Sequence, residues 1–154
     1  MPSAPRIRPI ALAIIRRGDD LLVYEGFDKT TGQAFHRPLG GGIEFQEPAI
    51  DAVRRELIEE LGAELADVEP MAVRENIFEV NGRPGHEIVF YFSASLVDPS
   101  FYMRDDVGVI LDEGSPVSWQ PLRRFEAGQA TLRPVGLLEL LRDRERTRPA
   151  GPPG

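Results

Sequence analysis

Glu56, Glu59 and Glu60 fall at i, i+3 and i+4 of a segment with helical periodicity, a spacing that gathers them on one helix face. Like charges this close repel and destabilise an isolated helix, so a counter-charge is called for. A divalent cation is the natural one. Gly40, Gly41 and Gly42 lie just upstream, where a backbone without side chains lets a carbonyl approach an ion closely. Gly41 is the candidate. Magnesium takes oxygen ligands, typically one or two carboxylates with waters and substrate phosphates. Glu56 and Glu60, one helical turn apart, can share such an ion, and Glu59 can reach the same ion or a second. Glu47 and Arg55 carry opposite charges and can pair, fixing the glycine loop against the helix and orienting Glu56. The plainer alternatives are a solvated acidic face for the glutamates and a weak surface ion pair for Glu47 and Arg55.

The full spacing is Gly41, five residues, Glu47, seven residues, Arg55-Glu56-Leu57, one residue, Glu59-Glu60, one residue, Gly62-Ala63. It resembles the Nudix box, the signature of the Nudix hydrolase superfamily (MutT-like). Ala63 stands where a larger aliphatic residue is usual, Gln46 where glycine is common and Leu39 where proline is common; none of these departures removes a charge. The resemblance implies an α+β protein with the Nudix fold, an α/β/α sandwich around a mixed sheet. It implies a small-molecule nucleotide substrate, a nucleoside diphosphate linked to another group, cleaved at the diphosphate. Metal ions, Mg²⁺ with Mn²⁺ as the alternative, would neutralise the diphosphate and activate a water. Gly41, Glu56, Glu59 and Glu60 are then the metal-site residues, and Glu47 and Arg55 join the catalytic set. The general base varies within the family; Glu59 is the first choice, Glu113 the second and Glu87 the third, an ordinary acid without a catalytic role being the favoured reading for the last two. The competing reading is a non-catalytic nucleotide-binding domain with a regulatory role, against which the intact box glutamates stand. Isomerisation on the same fold is a third, and the absence of cysteine removes one acid used in such sites.

These residues need a frame to hold them. The run Ile7 to Ile15 reads as a buried strand, Gly18-Asp19-Asp20 as a turn, and Leu21 to Tyr24 as its hairpin partner. Ala34 to Arg37 reads as a short strand ended by Pro38, which lacks a ladder donor. A helix is expected from Pro48 to Leu61, with Ile50, Val53, Leu57 and Leu61 inward and Gly62 as its cap. Met71 to Val80 and Glu87 to Leu96 read as paired strands, with Asn81-Gly82 a tight-turn signal and Arg83-Pro84-Gly85 lengthening the loop. Asp98 to Asp106 reads as irregular, Pro116 to Gln120 as a strand, Leu122 to Ala127 as a short helix and Pro134 to Arg144 as a longer one. A single domain over 1–146 is expected, followed by a disordered Pro/Gly-rich tail over 147–154.

The chain has 154 residues, 42% of them hydrophobic, enough for one domain with a real core. It contains no cysteine, which excludes disulfides and thiolate chemistry. A net charge of -7 without a concentrated basic cluster argues against a nucleic-acid polymer as partner. No leader-like or membrane-length apolar segment is visible, so a cytoplasmic protein without a membrane partner is expected. Monomer and homodimer are both open. His36 and His86 lack metal-ligand partners at useful spacing and read as structural. Arg37, just before the glycines, can touch a phosphate, with a solvated arginine the equal alternative. Tyr24, Phe27, Phe78, Tyr91, Phe101 and Tyr102 are candidates to stack on a base, with core packing the simpler reading for most.

Overall fold

In the computed structural model, which describes residues 4–147, the first apolar run forms β1 (Arg8–Arg17), with Ile10 to Ile15 all buried. A strand covered on both faces shows such an unbroken apolar run, because alternate side chains enter opposite layers. β1 turns into β2 (Asp20–Asp28), but the hairpin holds for only two rungs, Arg16 to Leu21 and Arg17 to Asp20. Beyond them the strands diverge. The wedge between them takes β3 (Gln33–Arg37), paired with β2, and β4 (Gly40–Gly42), paired antiparallel with Ile10 to Leu12 of β1. On its other side β1 runs parallel to β6 (Arg83–Leu96), and β6 pairs antiparallel with β5 (Leu65–Val80). β7 (Asp106–Val109) and β8 (Pro116–Pro121) extend the sheet beyond β2, in the order β5-β6-β1-β2-β8-β7.

Helices cover both faces of this mixed sheet. α1 (Ala49–Leu61) packs on Ala11, Ala13, Ile15 and Phe92. α2 (Leu122–Glu126) and α3 (Leu137–Thr147) pack on Ile10, Leu12, Ile14 and Val89. The result is the expected α+β sandwich, helix on sheet on helix. α1 begins directly after Pro48 and ends at Gly62, whose φ of 66° lets its N–H and that of Ala63 return to the Ile58 and Leu57 carbonyls. Val53, Leu57 and Leu61 are buried beneath it, each worth about 1.5–3 kcal/mol of apolar burial. That anchorage sets the flank of α1 that carries Glu56 and Glu60 against β4. No helix among the described residues is long and apolar enough to cross a membrane.

Several element bounds differ from the sequence reading. Asn81 and Gly82 form the whole β5–β6 turn, both at positive φ (52° and 74°), and pairing resumes at Arg83. The longer loop expected through Gly85 does not form, because this turn matches the twist of its flanking strands. β5 starts at Leu65, ahead of the expected Met71, and takes in Pro70 through register shifts between Ala66 and Glu69 and between Pro70 and Ala72. A 3₁₀ turn, Pro99–Met103, and β7 occupy most of the stretch expected to be irregular. α3 begins three residues later than expected, since Gly136 has a φ of 93°, incompatible with a right-handed helix. Ile50 is only partly buried on α1, and Ala52 joins the inward face instead. Of the expected tail, Thr147 closes α3 and 148–154 lie outside the described residues.

Candidate active site

β4 is extended backbone with no side chains, pressed between β1 and α1. A Cβ on Gly40 would sit 2.1 Å from the Ala11 carbonyl oxygen, and one on Gly41 2.7–2.8 Å from the Glu56 carboxylate. Glycine is required here for close approach, and Glu56 therefore lies directly against the Gly41 backbone. The Gly40 N–H donates to Glu60 Oε2 at 3.3 Å. Burial pushes the Glu60 carboxyl above the ordinary carboxylate range; Glu56 beside it adds to the push, while the Gly40 N–H and Arg37 oppose it. Two carboxylates and a bare backbone thus meet at one point.

Arg55 organises the rest. Its Nε and Nη2 donate to the two oxygens of Glu47 at 2.8 and 2.9 Å, a bidentate pair. Nη2 also reaches the Gly42 carbonyl at 3.0 Å, and Nη1 reaches Glu56 at 3.0 Å and Glu59 at 3.2 Å. The Glu44 N–H donates to Glu47 at 3.1 Å. Arg55 and that N–H hold the Glu47 carboxyl down to about 2, and Glu47 in turn raises the Arg55 pKa further. The expected Glu47–Arg55 contact therefore exists and ties the loop after β4 to α1.

Glu56, Glu60 and Gly41 converge, while Glu59 shares Arg55 Nη1 with Glu56. Its carboxylate, more than half exposed, is drawn along the helix face to Arg55. Among the described residues no cluster of three or more acidic or histidine side chains is gathered in metal-holding geometry. Glu113 lies in the turn before β8 and accepts from Ser115 Oγ. Its loop is nonetheless fastened to α1 beside the site, for the Leu111 N–H donates to the Glu60 backbone carbonyl at 2.9 Å. The donors that do meet are all oxygen, two carboxylates one helical turn apart, and fit a hard divalent cation completed by further oxygen ligands.

Past Gly41, on the α3 side of the sheet, opens a cavity of about 450 Å³ lined by Arg8, Tyr24, Phe35, Arg37, Phe78 and Glu87 among others. Arg37 donates to the Tyr24 hydroxyl at 3.0 Å; burial works against its charge, but Tyr24, Glu87 and Glu60 outweigh that and raise its pKa. Of the stacking candidates, Tyr24 and Phe78 face this cavity. Phe27 is exposed, Tyr91 is buried against α3, and Phe101 and Tyr102 pack with the α1-side core. His36 is buried edge-on to Phe125, away from the carboxylates. Arg8, Phe35, Asn76 and Arg133 line the cavity too and escaped the sequence reading. The one local hint was alternation along their strands, which marks a face without saying what it faces.

A family model for the NUDIX domain matches residues 6–141. The fold is similar to that of a NUDIX hydrolase from Nitrosomonas europaea, with 22% identity, a TM-score of 0.68, and 92% of this chain and 90% of that one covered. It is also similar to the E. coli ORF135 protein, with 28% identity, a TM-score of 0.61, and coverage of 95% and 96%. A third likeness is to a MutT protein from Bacillus halodurans, with 17% identity, a TM-score of 0.59, and coverage of 88% and 80%.

Proposed function

The chain belongs to the NUDIX domain family, and on that premise we propose that it is a metal-dependent hydrolase cleaving the diphosphate linkage of a nucleoside diphosphate derivative. The observation that carries this reading is the pairing of the Glu56 and Glu60 carboxylates against the bare backbone of Gly41. Two acids forced together, one of them disfavoured in its charged form, make a site that gains from a cation. Glu56, Glu60 and the Gly41 carbonyl would hold Mg²⁺ or Mn²⁺, with Glu59 the further carboxylate on the same face. When bound, the ion supplies charge neutralisation on the diphosphate and a more acidic water.

The chain's own groups supply the remainder. Arg55 and Glu47 keep the glycine loop and Glu56 in place. Glu59, more exposed than its neighbours, is the proposed base: it takes the proton as water oxygen bonds to phosphorus. The bridging P–O bond breaks and its electrons leave with the departing phosphate. Glu113 is the second choice, because its loop is already fastened to Glu60.

The test is hydrolysis of a broad nucleotide panel with Mg²⁺ and with Mn²⁺, products identified. Release of phosphorylated products should require the metal. Glu60→Gln should lower turnover by about two or more orders of magnitude while melting no lower than wild type. Full activity of that variant, or of wild type in EDTA, would falsify the reading.

A further inference from the structure

The cavity beyond Gly41 holds a buried carboxylate to which the hydrolytic step proposed above gives no role. Glu87 is 8% exposed. Among the described residues its one hydrogen-bond partner is Asn76, whose Nδ2 donates at 3.3 Å. An ionised carboxylate offers about four acceptor sites, and neither Glu87 oxygen is a buried atom without a partner, so the one that Asn76 does not hold is reached from the cavity. Strand register places Asn76, Glu87 and Arg8 in one row across β5, β6 and β1. Glu87 and Asn76 both line the cavity. The unmet capacity of Glu87 therefore faces the cavity and calls for N–H donors from a ligand.

The walls say what kind of ligand. Phe35 lies across Gly26 of the neighbouring strand, and Phe78 across Gly85; a Cβ on either glycine would meet the ring at 2.5 and 2.3 Å. Each phenyl ring is thus settled over a glycine, and both line the cavity. Aromatic walls suit a flat ring. Asn76 uses its amide donor on Glu87, so its oxygen remains an acceptor. Arg37, with the Tyr24 hydroxyl as its one hydrogen-bond partner among the described residues, adds donors.

We propose that Glu87, with Asn76 and Arg37, is a specificity determinant for a ring carrying a carbonyl, an adjacent ring N–H and an adjacent amino group. This is the edge of guanine, shared by pterins. The carbonyl accepts from Arg37, the N–H and one amino hydrogen donate to the two oxygens of Glu87, and the other amino hydrogen donates to the Asn76 oxygen. Adenine and cytosine present a bare ring nitrogen where the carboxylate needs a donor. Uracil and hypoxanthine offer one N–H and no amino group.

The proposal rests on the nucleotide-hydrolase reading for its setting, so the test separates the two. Calorimetry in EDTA compares GMP, IMP and AMP on wild type and on Glu87→Gln, with a phosphate-free pterin as competitor. Hydrolysis of GTP, ITP and ATP with Mg²⁺ runs in parallel. GMP should bind at least about tenfold tighter than IMP, which lacks only the amino group. In Glu87→Gln that ratio should fall toward one. Pterin displacing GMP at lower concentration than GMP itself would assign the pterin as the source of the edge; the reverse assigns guanine. Equal binding of GMP and IMP to wild type overturns the proposal without any variant, as does a ratio untouched in a folded Glu87→Gln. GMP selectivity without hydrolysis of any nucleotide would sink the hydrolase reading alone, and hydrolysis without base discrimination would sink this one alone.

Discussion

Arg55 has five N–H donors, and the structure gives it five hydrogen bonds, to Glu47 twice and to Glu56, Glu59 and the Gly42 carbonyl. That explains what could and could not be read from spacing at the scale of single residues. The Glu47–Arg55 pair and the Glu56–Glu60 pair were legible because each is set by short separations along one loop and helix. The orientation of Glu59 was not. It stands at i+4 from Arg55 as well as i+3 from Glu56, and its carboxylate settles on the same Arg55 Nη1 that Glu56 uses rather than beside Glu60. The pairing also has a pH consequence. Glu47 is held down to about 2 in the folded protein against an ordinary 4.5, so its contribution to stability is complete above about pH 4.5. It is lost as pH falls through about 2. The melting temperature of wild type should therefore drop more steeply than that of Glu47→Gln on acidification from about pH 5. Parallel curves from the two proteins would show that the pair adds nothing.

Among the elements, β4 was the least visible. Three glycines have no side chains to alternate, so the run reads as a turn, yet it pairs with β1 as a strand of the sheet. β7 was missed for a similar reason, being four residues with a single buried side chain. α1, by contrast, was legible almost to the residue, because a buried stripe and a glycine cap mark it from both inside and end. The two neighbouring glycines of β4 should respond differently to alanine. At Gly40 the new Cβ meets the main chain of Ala11 and Leu12, at a φ of 141°. Neither obstacle can swing away, and the expected loss is on the order of 3 kcal/mol or more by denaturant titration. At Gly41 the obstacle is the Glu56 carboxylate, the far end of a flexible side chain. Gly41→Ala should stay folded and lose activity. A Gly40→Ala protein as stable as Gly41→Ala would refute this contrast.

At the scale of the molecule the layering was expected from the mixture of strands and helices, while the cavity was not. Its walls come from hairpins about fifty residues apart, and no local pattern announces that they face one another. What joins them is Asp28, buried at the tip of β2. Its Oδ1 accepts from the Thr30, Thr31 and Asn81 N–H groups at 2.9, 3.3 and 3.2 Å, and Asn81 Oδ1 accepts in return from the Lys29 N–H at 2.8 Å. The β2–β3 and β5–β6 hairpins, which carry Phe35 and Phe78, are clasped tip to tip. Asp28→Ala should lower the melting temperature by several degrees and raise KM more than it lowers kcat, since the box is untouched. A kcat loss with unchanged KM would argue that the clasp does not shape the cavity.

β5 ends the strand order on one side, so sixteen residues of it border no further strand of this sheet. A straight edge of that length, with Val73 and Ile77 exposed along it, would be an open template on which another chain could zip up and begin to aggregate. The shifts around Glu69 to Ala72 break that template near its middle. Pro70 withholds an N–H there, and Arg144 from α3 donates to the neighbouring Met71 carbonyl at 3.1 Å. The irregularity that made this strand hard to delimit is what keeps its border from being copied.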